Sequence, residues 1–167
     1  MKRLTIVRSL TAIAGTATLT AVFTPSVTGA QGAAQAAPPP AQTAGKRVIV
    51  PAGGRGGGFL SPGILVGNTL YMSGQLPAGN LRDSSIAVQT RSVITRTQAI
   101  LEAAGMTLAD VVSIQAYLVD MADYDGFNTA YREFFTTDPR PTRTTVVVKE
   151  LVQGAKVELT MTAVKTP

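Results

Sequence analysis

The chain has 167 residues, with 15 Lys and Arg against 10 Asp and Glu, and it contains no Cys, His or Trp. These absences exclude a cysteine nucleophile, a Ser-His-Asp triad, a His/Cys zinc site and any disulfide, so the fold must hold by packing alone. The formal charge of +5 is unevenly placed: three basic residues (Lys2, Arg3, Arg8) and no acid fall in residues 1–30, which leaves 12 − 10 = +2 for the remainder, too weak a surplus to indicate a nucleic-acid partner.

Residues 1–30 have the three parts of a secretory signal. Lys2, Arg3 and Arg8 give a positive start, residues 9–23 are uncharged, and Thr28-Gly29-Ala30 or Ala34-Gln35-Ala36 offers a small-residue cleavage site. The uncharged stretch is threonine-rich and short for a membrane span. The expectation is an exported protein, periplasmic or secreted, with no stable membrane insertion after signal cleavage. Residues 31–45 are mostly Ala, Gln and Pro and read as a linker, because they carry too little bulky apolar surface to fold. Residues 46–167 remain for one compact domain. Within it, residues 51–58 (Pro-Ala-Gly-Gly-Arg-Gly-Gly-Gly) lack the Gly-Lys-Ser/Thr ending of a phosphate loop and read as a flexible loop.

Residues 46–50 predict a first strand. Residues 64–66 and 69–73 predict two more, turning at Gly67-Asn68. Residues 85–104 predict a helix with Ile86, Val93, Ile94, Ile100 and Leu101 on its apolar stripe and Gly105 just past its end. Residues 111–119 predict a strand. Residues 122–135 predict a second helix, on which Tyr124, Phe127, Tyr131, Phe134 and Phe135 form a stripe for the core. Asp120, Asp123 and Asp125 lack the spacing of a calcium loop and suit an acidic helix cap. Residues 143–151 and 156–164 predict two final strands with a turn near Gln153-Gly154. The fold class is therefore α/β (α+β): a single mixed sheet with two helices on one face. The other face would be bare in a monomer, which points to an oligomer.

If the last two strands form a hairpin, Thr144, Val146 and Val148 share the helix side with Val157, Leu159, Met161 and Ala163. Arg143 and Glu158 then share the opposite, polar side, with Glu158 opposite Val147 and backbones about 13 Å apart. A cation and a carboxylate converging across such a gap suit a small anionic ligand and a held water.

Several of these segments resemble the RidA/YjgF family of enamine/imine deaminases. They are Pro141-Thr142-Arg143-Thr144, residues 149–151, Val157-Glu158-Leu159, Val66-Gly67-Asn68 with Ser73-Gly74-Gln75-Leu76-Pro77, Gln89-Thr90-Arg91, residues 100–105 and residues 128–135. The resemblance spans residues 59–165. It implies a chorismate-mutase-like fold and a homotrimer with ligand clefts between subunits. It also implies hydrolysis of 2-aminoacrylate-type enamines and imines to 2-oxo acids and ammonia, with no cofactor or metal. By position, Arg143 would hold the substrate carboxylate and Glu158 would orient water. Gly74 would offer a backbone contact, with Asn128 beside the cleft. Three positions depart from the family: Leu60 stands where an aromatic often lines the cleft, Arg96 where Asn is usual, and Thr144 where Ser or another small residue is commoner. The chemistry suits the residues, since a guanidinium presents a planar fork to a carboxylate and a carboxylate beside a water can act as base. The alternative function on the same fold is a non-catalytic module that binds small carboxylates or acts as a chaperone.

Overall fold

The computed structural model describes residues 45–54 and 58–166. The expected signal at residues 1–30 and nearly all of the linker lie outside the described residues, as do residues 55–57 of the glycine-rich loop. Six strands, β1 (Lys46–Ile49), β2 (Gly63–Val66), β3 (Thr69–Met72), β4 (Val111–Leu118), β5 (Thr142–Val147) and β6 (Val157–Val164), and two helices, α1 (Ile86–Ala103) and α2 (Tyr124–Arg132), make up the domain. The strands form one sheet in the order β1-β2-β3-β6-β4-β5. All neighbours are antiparallel except β4 and β5, which run parallel and are joined through α2. The single mixed sheet with two helices is as the sequence indicates.

Local chemistry explains the element ends. Ser85 caps α1 by accepting from the Val88 N–H. At its other end Gly105 takes a left-handed φ of 72°. There the Gly105 and Met106 N–H groups donate back to the Glu102 and Leu101 carbonyls, which satisfies carbonyls a helix end leaves open. The second helix is shorter than the sequence suggests. Asp120 Oδ1 accepts from the Ala122 N–H at 2.9 Å, and a 3-10 turn over Met121–Asp123 precedes α2. The acidic cluster therefore begins a helix, as expected.

The core lies between the helices and one sheet face. Leu70, Val93, Leu101, Leu118, Phe127, Val157 and Leu159 are fully buried there. The threonines on the buried face of α1 are accommodated by bonding back one turn: Thr90 Oγ1 donates to the Ile86 carbonyl and Thr97 Oγ1 to that of Val93. Gln89 is buried completely. Its Nε2 donates to the Arg82 carbonyl at 2.7 Å and the Ser84 carbonyl at 3.3 Å, and its Oε1 accepts the Lys156 N–H at 2.9 Å. It thus ties the loop before α1 to the start of β6.

The expected final hairpin is not formed. Residues 148–156 carry the chain past β4, so β6 pairs with β4 on one side while β5 pairs with it on the other. Arg143 aligns with Ile114, and Glu158 with Tyr117. Ile114 is buried on the helix side, so Arg143, Thr145 and Val147 face the helices. Thr144 and Val146 face away, reversing the expected assignment for β5. The set Val157, Leu159, Met161 and Ala163 is buried as expected.

Replacing Gln89 with Leu keeps the volume but strands the Lys156 N–H in the interior. Urea denaturation of Gln89→Leu should show a loss of about 1–3 kcal/mol, with the midpoint lowered at unchanged slope.

Candidate functional site

Arg143 and Glu158 lie on opposite faces of the sheet. Counted by register they are three residues apart along β4 and two strands apart across it, about 14 Å between backbones. The shared polar face expected from the sequence is therefore corrected: one chain cannot aim both side chains at one small ligand.

Each belongs to its own cluster. On the helix side, α2 provides a seat for Arg143. Its Nη2 donates to Asn128 Oδ1 at 2.7 Å. Its Cζ lies 4.5 Å from the ring centroid of Tyr131 and 5.1 Å from that of Phe127, within cation–π range. Phe127, Asn128 and Tyr131 meet Arg143 because positions i, i+1 and i+4 of a helix share one flank. Tyr131 stacks on Phe135 at 4.5 Å between centroids, so the seat continues into the core. Burial raises the Tyr131 phenol pKa, against a downward pull from Arg143 and Arg140. The guanidinium is thus fixed on one side by a neutral amide and two ring faces. It enters none of the ion pairs among the described residues, so its remaining N–H groups have no carboxylate partner there.

On the opposite side, Glu158 lies directly against Gly74. A Cβ added at Gly74 would overlap Glu158 Oε1 and come within 2.8 Å of Cδ. Only glycine leaves room for the carboxyl group. Glu158 also joins none of the described ion pairs, so a bridge to Lys149 or Lys156 does not account for it. Partial burial raises its pKa above that of a solvated glutamate, as desolvation does for a carboxylic acid.

Gly74 in turn lines a cleft of about 630 Å³ between the end of β3, the segments at residues 51–54 and 60–62, and α1. Leu60 and Arg96 line the same cleft. Of the five residues expected at the site, Arg143 sits with Asn128 and Glu158 with Gly74, while Leu60 lines the cleft that Gly74 also borders. The ring seat for Arg143 was not anticipated as part of a site. The sequence did signal it, because the aromatic stripe of α2 includes both rings and Asn128 follows Phe127.

Residues 57–165 match the family described as Endoribonuclease L-PSP. The chain belongs to this family. The RidA/YjgF resemblance read from the sequence thus holds. Among relatives in the Endoribonuclease L-PSP family, a RutC family protein of Sulfurisphaera tokodaii is 41% identical over 106 residues, covering 61% of this chain and 84% of the relative. A protein of Dermatophagoides farinae named 2-iminobutanoate/2-iminopropanoate deaminase is 34% identical over 107 residues, covering 61% of this chain and 82% of that one. Among solved structures, that of a Rid family protein from Yersinia pestis superposes with a TM-score of 0.66 at 31% identity, covering 72% of this chain and 99% of the other. The span that matches the family, residues 57–165, includes both clusters.

Two substitutions test the clusters separately. Gly74→Ala should displace the Glu158 carboxyl while leaving the thermal midpoint within a few degrees, since the far end of a flexible side chain can move aside. Tyr131→Leu should remove one ring face from the Arg143 seat and lower stability to urea by about 0.5–2 kcal/mol through the lost cation–π contact.

Proposed function

We propose that this protein hydrolyses reactive 2-imino acids and their enamine tautomers, of the 2-aminoacrylate type, to 2-oxo acids and ammonia. The observation that carries the reading is the Arg143 guanidinium, pre-set by Asn128, Phe127 and Tyr131 with N–H groups left for a carboxylate. A fork held in place in this way loses little freedom when it grips a substrate carboxylate in two parallel hydrogen bonds. The deaminase name carried by the Dermatophagoides farinae relative supports the reaction class.

Because Arg143 and Glu158 point from opposite faces, the reading requires a second copy of the chain. Arg143 of one protomer would face Glu158 and Gly74 of its neighbour, as in a cyclic homotrimer. The sheet face away from the helices supports such an assembly, since it exposes Tyr71 (54%) and Val146 (42%) in the single chain. In the shared cleft a water beside Glu158 attacks the imine carbon, forming a C–O bond. The C=N π bond opens as the C–O bond forms, and Glu158 passes one water proton to the nitrogen, giving a carbinolamine. Glu158 then takes the proton of the carbinolamine hydroxyl and gives it to the nitrogen as the carbonyl forms and the C–N bond breaks, so the products are the 2-oxo acid and ammonia. The desolvated carboxyl group suits both halves of this transfer, because a raised pKa makes it a stronger base and brings it closer to the operating pH.

Activity is measured on imines generated in place by an amino-acid oxidase. Arg143→Lys keeps the charge but loses the fork, and should lower kcat/KM by roughly 2–4 kcal/mol, about 30- to 1,000-fold. Wild-type turnover by a folded Arg143→Lys protein overturns the reading. Since the base works ionised and burial raises its pKa, the rate should increase with pH through a limb displaced upward from that of an unburied glutamate, and Glu158→Gln should remove that limb. Mixing and reassembling inactive Arg143→Ala and Glu158→Ala chains should restore part of the activity, because some clefts then receive both intact residues. No recovery in verified mixed oligomers would place the two residues in separate sites.

A further inference from the structure

We infer that the Tyr131 hydroxyl binds the substrate carboxylate alongside Arg143, as one of three donors brought together by β5 and α2. This rests on the reading of Arg143 given above and adds a substrate-binding residue to that site.

Tyr131 is 8% exposed, and its ring is held by three neighbours. Phe135 stacks on it at 4.5 Å between centroids, Phe127 meets it at 5.8 Å, and the Arg143 Cζ lies 4.5 Å from its centre. The Tyr131 hydroxyl enters none of the described hydrogen bonds. No side-chain nitrogen or oxygen among the described residues is both enclosed and without a partner, so the hydroxyl is a part of Tyr131 that reaches the surface. A phenol packed this deeply ordinarily has a partner for its O–H. Here that partner is left to come from outside the chain.

The surroundings select an anion. The charged groups that act on the phenol are both cations, Arg143 on β5 and Arg140 just before it. Burial outweighs their pull and holds the phenol pKa above its usual value, so the hydroxyl stays protonated and donates. Asn128 lies three residues before Tyr131 on α2, on the same flank. It is 9% exposed, its Oδ1 accepts from Arg143 at 2.7 Å, and its Nδ2 has no described partner, so the amide also turns N–H groups outward. Arg143, Asn128 and Tyr131 therefore offer protons and no negative charge. The guanidinium rests on the face of the ring that carries the hydroxyl, so a carboxylate on its free edge meets the phenol as well. Two carboxylate oxygens have lone pairs enough for the guanidinium, the amide and the phenol together. A neutral group in the same place gains less from the cation.

Tyr131→Phe removes the hydroxyl and keeps the ring, its stacking on Phe135 and its face against Arg143. Calorimetry on the full-length protein should show 2-oxobutanoate bound about tenfold more weakly by this variant, with the urea midpoint unchanged. On imines generated by an amino-acid oxidase, Tyr131→Phe should raise KM about tenfold and leave kcat within about threefold of the wild type, as for a group that holds the carboxylate rather than the reacting atoms. Wild-type affinity and KM in Tyr131→Phe overturn the proposal. So does a fall in kcat at unchanged KM, which puts the hydroxyl at the reacting atoms. Weakened affinity that comes with a lowered urea midpoint assigns the hydroxyl to packing and overturns it too. If the wild type hydrolyses no imine while 2-oxobutanoate binding still drops in Tyr131→Phe, the deaminase reading falls and the carboxylate contact stands. A wild type that neither binds 2-oxobutanoate nor hydrolyses imines overturns both.

Discussion

The position of β4 between β5 and β6 determines what the rest of the domain can do. Its buried residues Ile114, Ala116 and Leu118 fix one face toward the helices, and side chains on neighbouring strands inherit that facing through the register. Parallel pairing with β5 sends Arg143 to the helix side, where an amide and two rings receive it. Antiparallel pairing with β6 sends Glu158 to the other side, where a glycine admits it. A shift of one residue in either ladder would exchange these environments, placing a guanidinium on the bare face or a carboxylate in the core. The packing of β4 is thus also the constraint that separates the two candidate functional groups within a chain.

The connections show the same economy in polar groups. Gln89 uses both ends of its amide to join the loop before α1 to the start of β6. Arg82, in that loop, donates to Gln153 on the turn before β6, where Gln153 holds a left-handed φ of 64°, uncommon for a residue with a side chain. On the helices, Arg91 and Glu133 form a two-point pair joining α1 to the end of α2. Glu133 has its pKa lowered by this hydrogen bond and Arg91 has its own raised. Both are exposed, so the pair fixes geometry more than it adds stability.

The elements themselves were legible in the sequence. Ser85 and Gly105 marked the ends of α1, Gly67-Asn68 marked the first turn, and alternation in Val157-Glu158-Leu159-Thr160-Met161 gave the buried face of β6. The pairing of β5 was not legible from its own residues. Thr-Arg-Thr-Thr-Val-Val has no clear apolar alternation, so either face could be taken for the core. Assigning β5 and β6 to a hairpin assumed that neighbours in sequence are neighbours in space. A better signal lay upstream: a helix between β4 and β5 is what a parallel crossover requires. Gln89 was overlooked for a related reason. It falls on the stripe between Ile86 and Val93, but an amide does not register in an apolar count. The resemblance names Arg143, Asn128, Glu158 and Gly74, whereas Phe127 and Tyr131 read only as core, and the division of the clusters between faces follows from the strand order alone.

The residues proposed for the reaction also determine how the protein would fare in an oxidising setting. Arg143, Asn128, Glu158 and Gly74 contain no sulfur, and the chain has no thiol to be converted to a sulfenic acid or a mixed disulfide. Among the described residues the oxidisable sulfur is in methionine. Met72, Met106 and Met161 are buried at 5%, 2% and 1% exposure, whereas Met121 is 60% exposed on the turn before α2. Of these four, peroxide would therefore reach Met121 first and make a polar sulfoxide where solvent already meets the side chain. Such damage would accumulate as mass without touching the groups assigned to the imine.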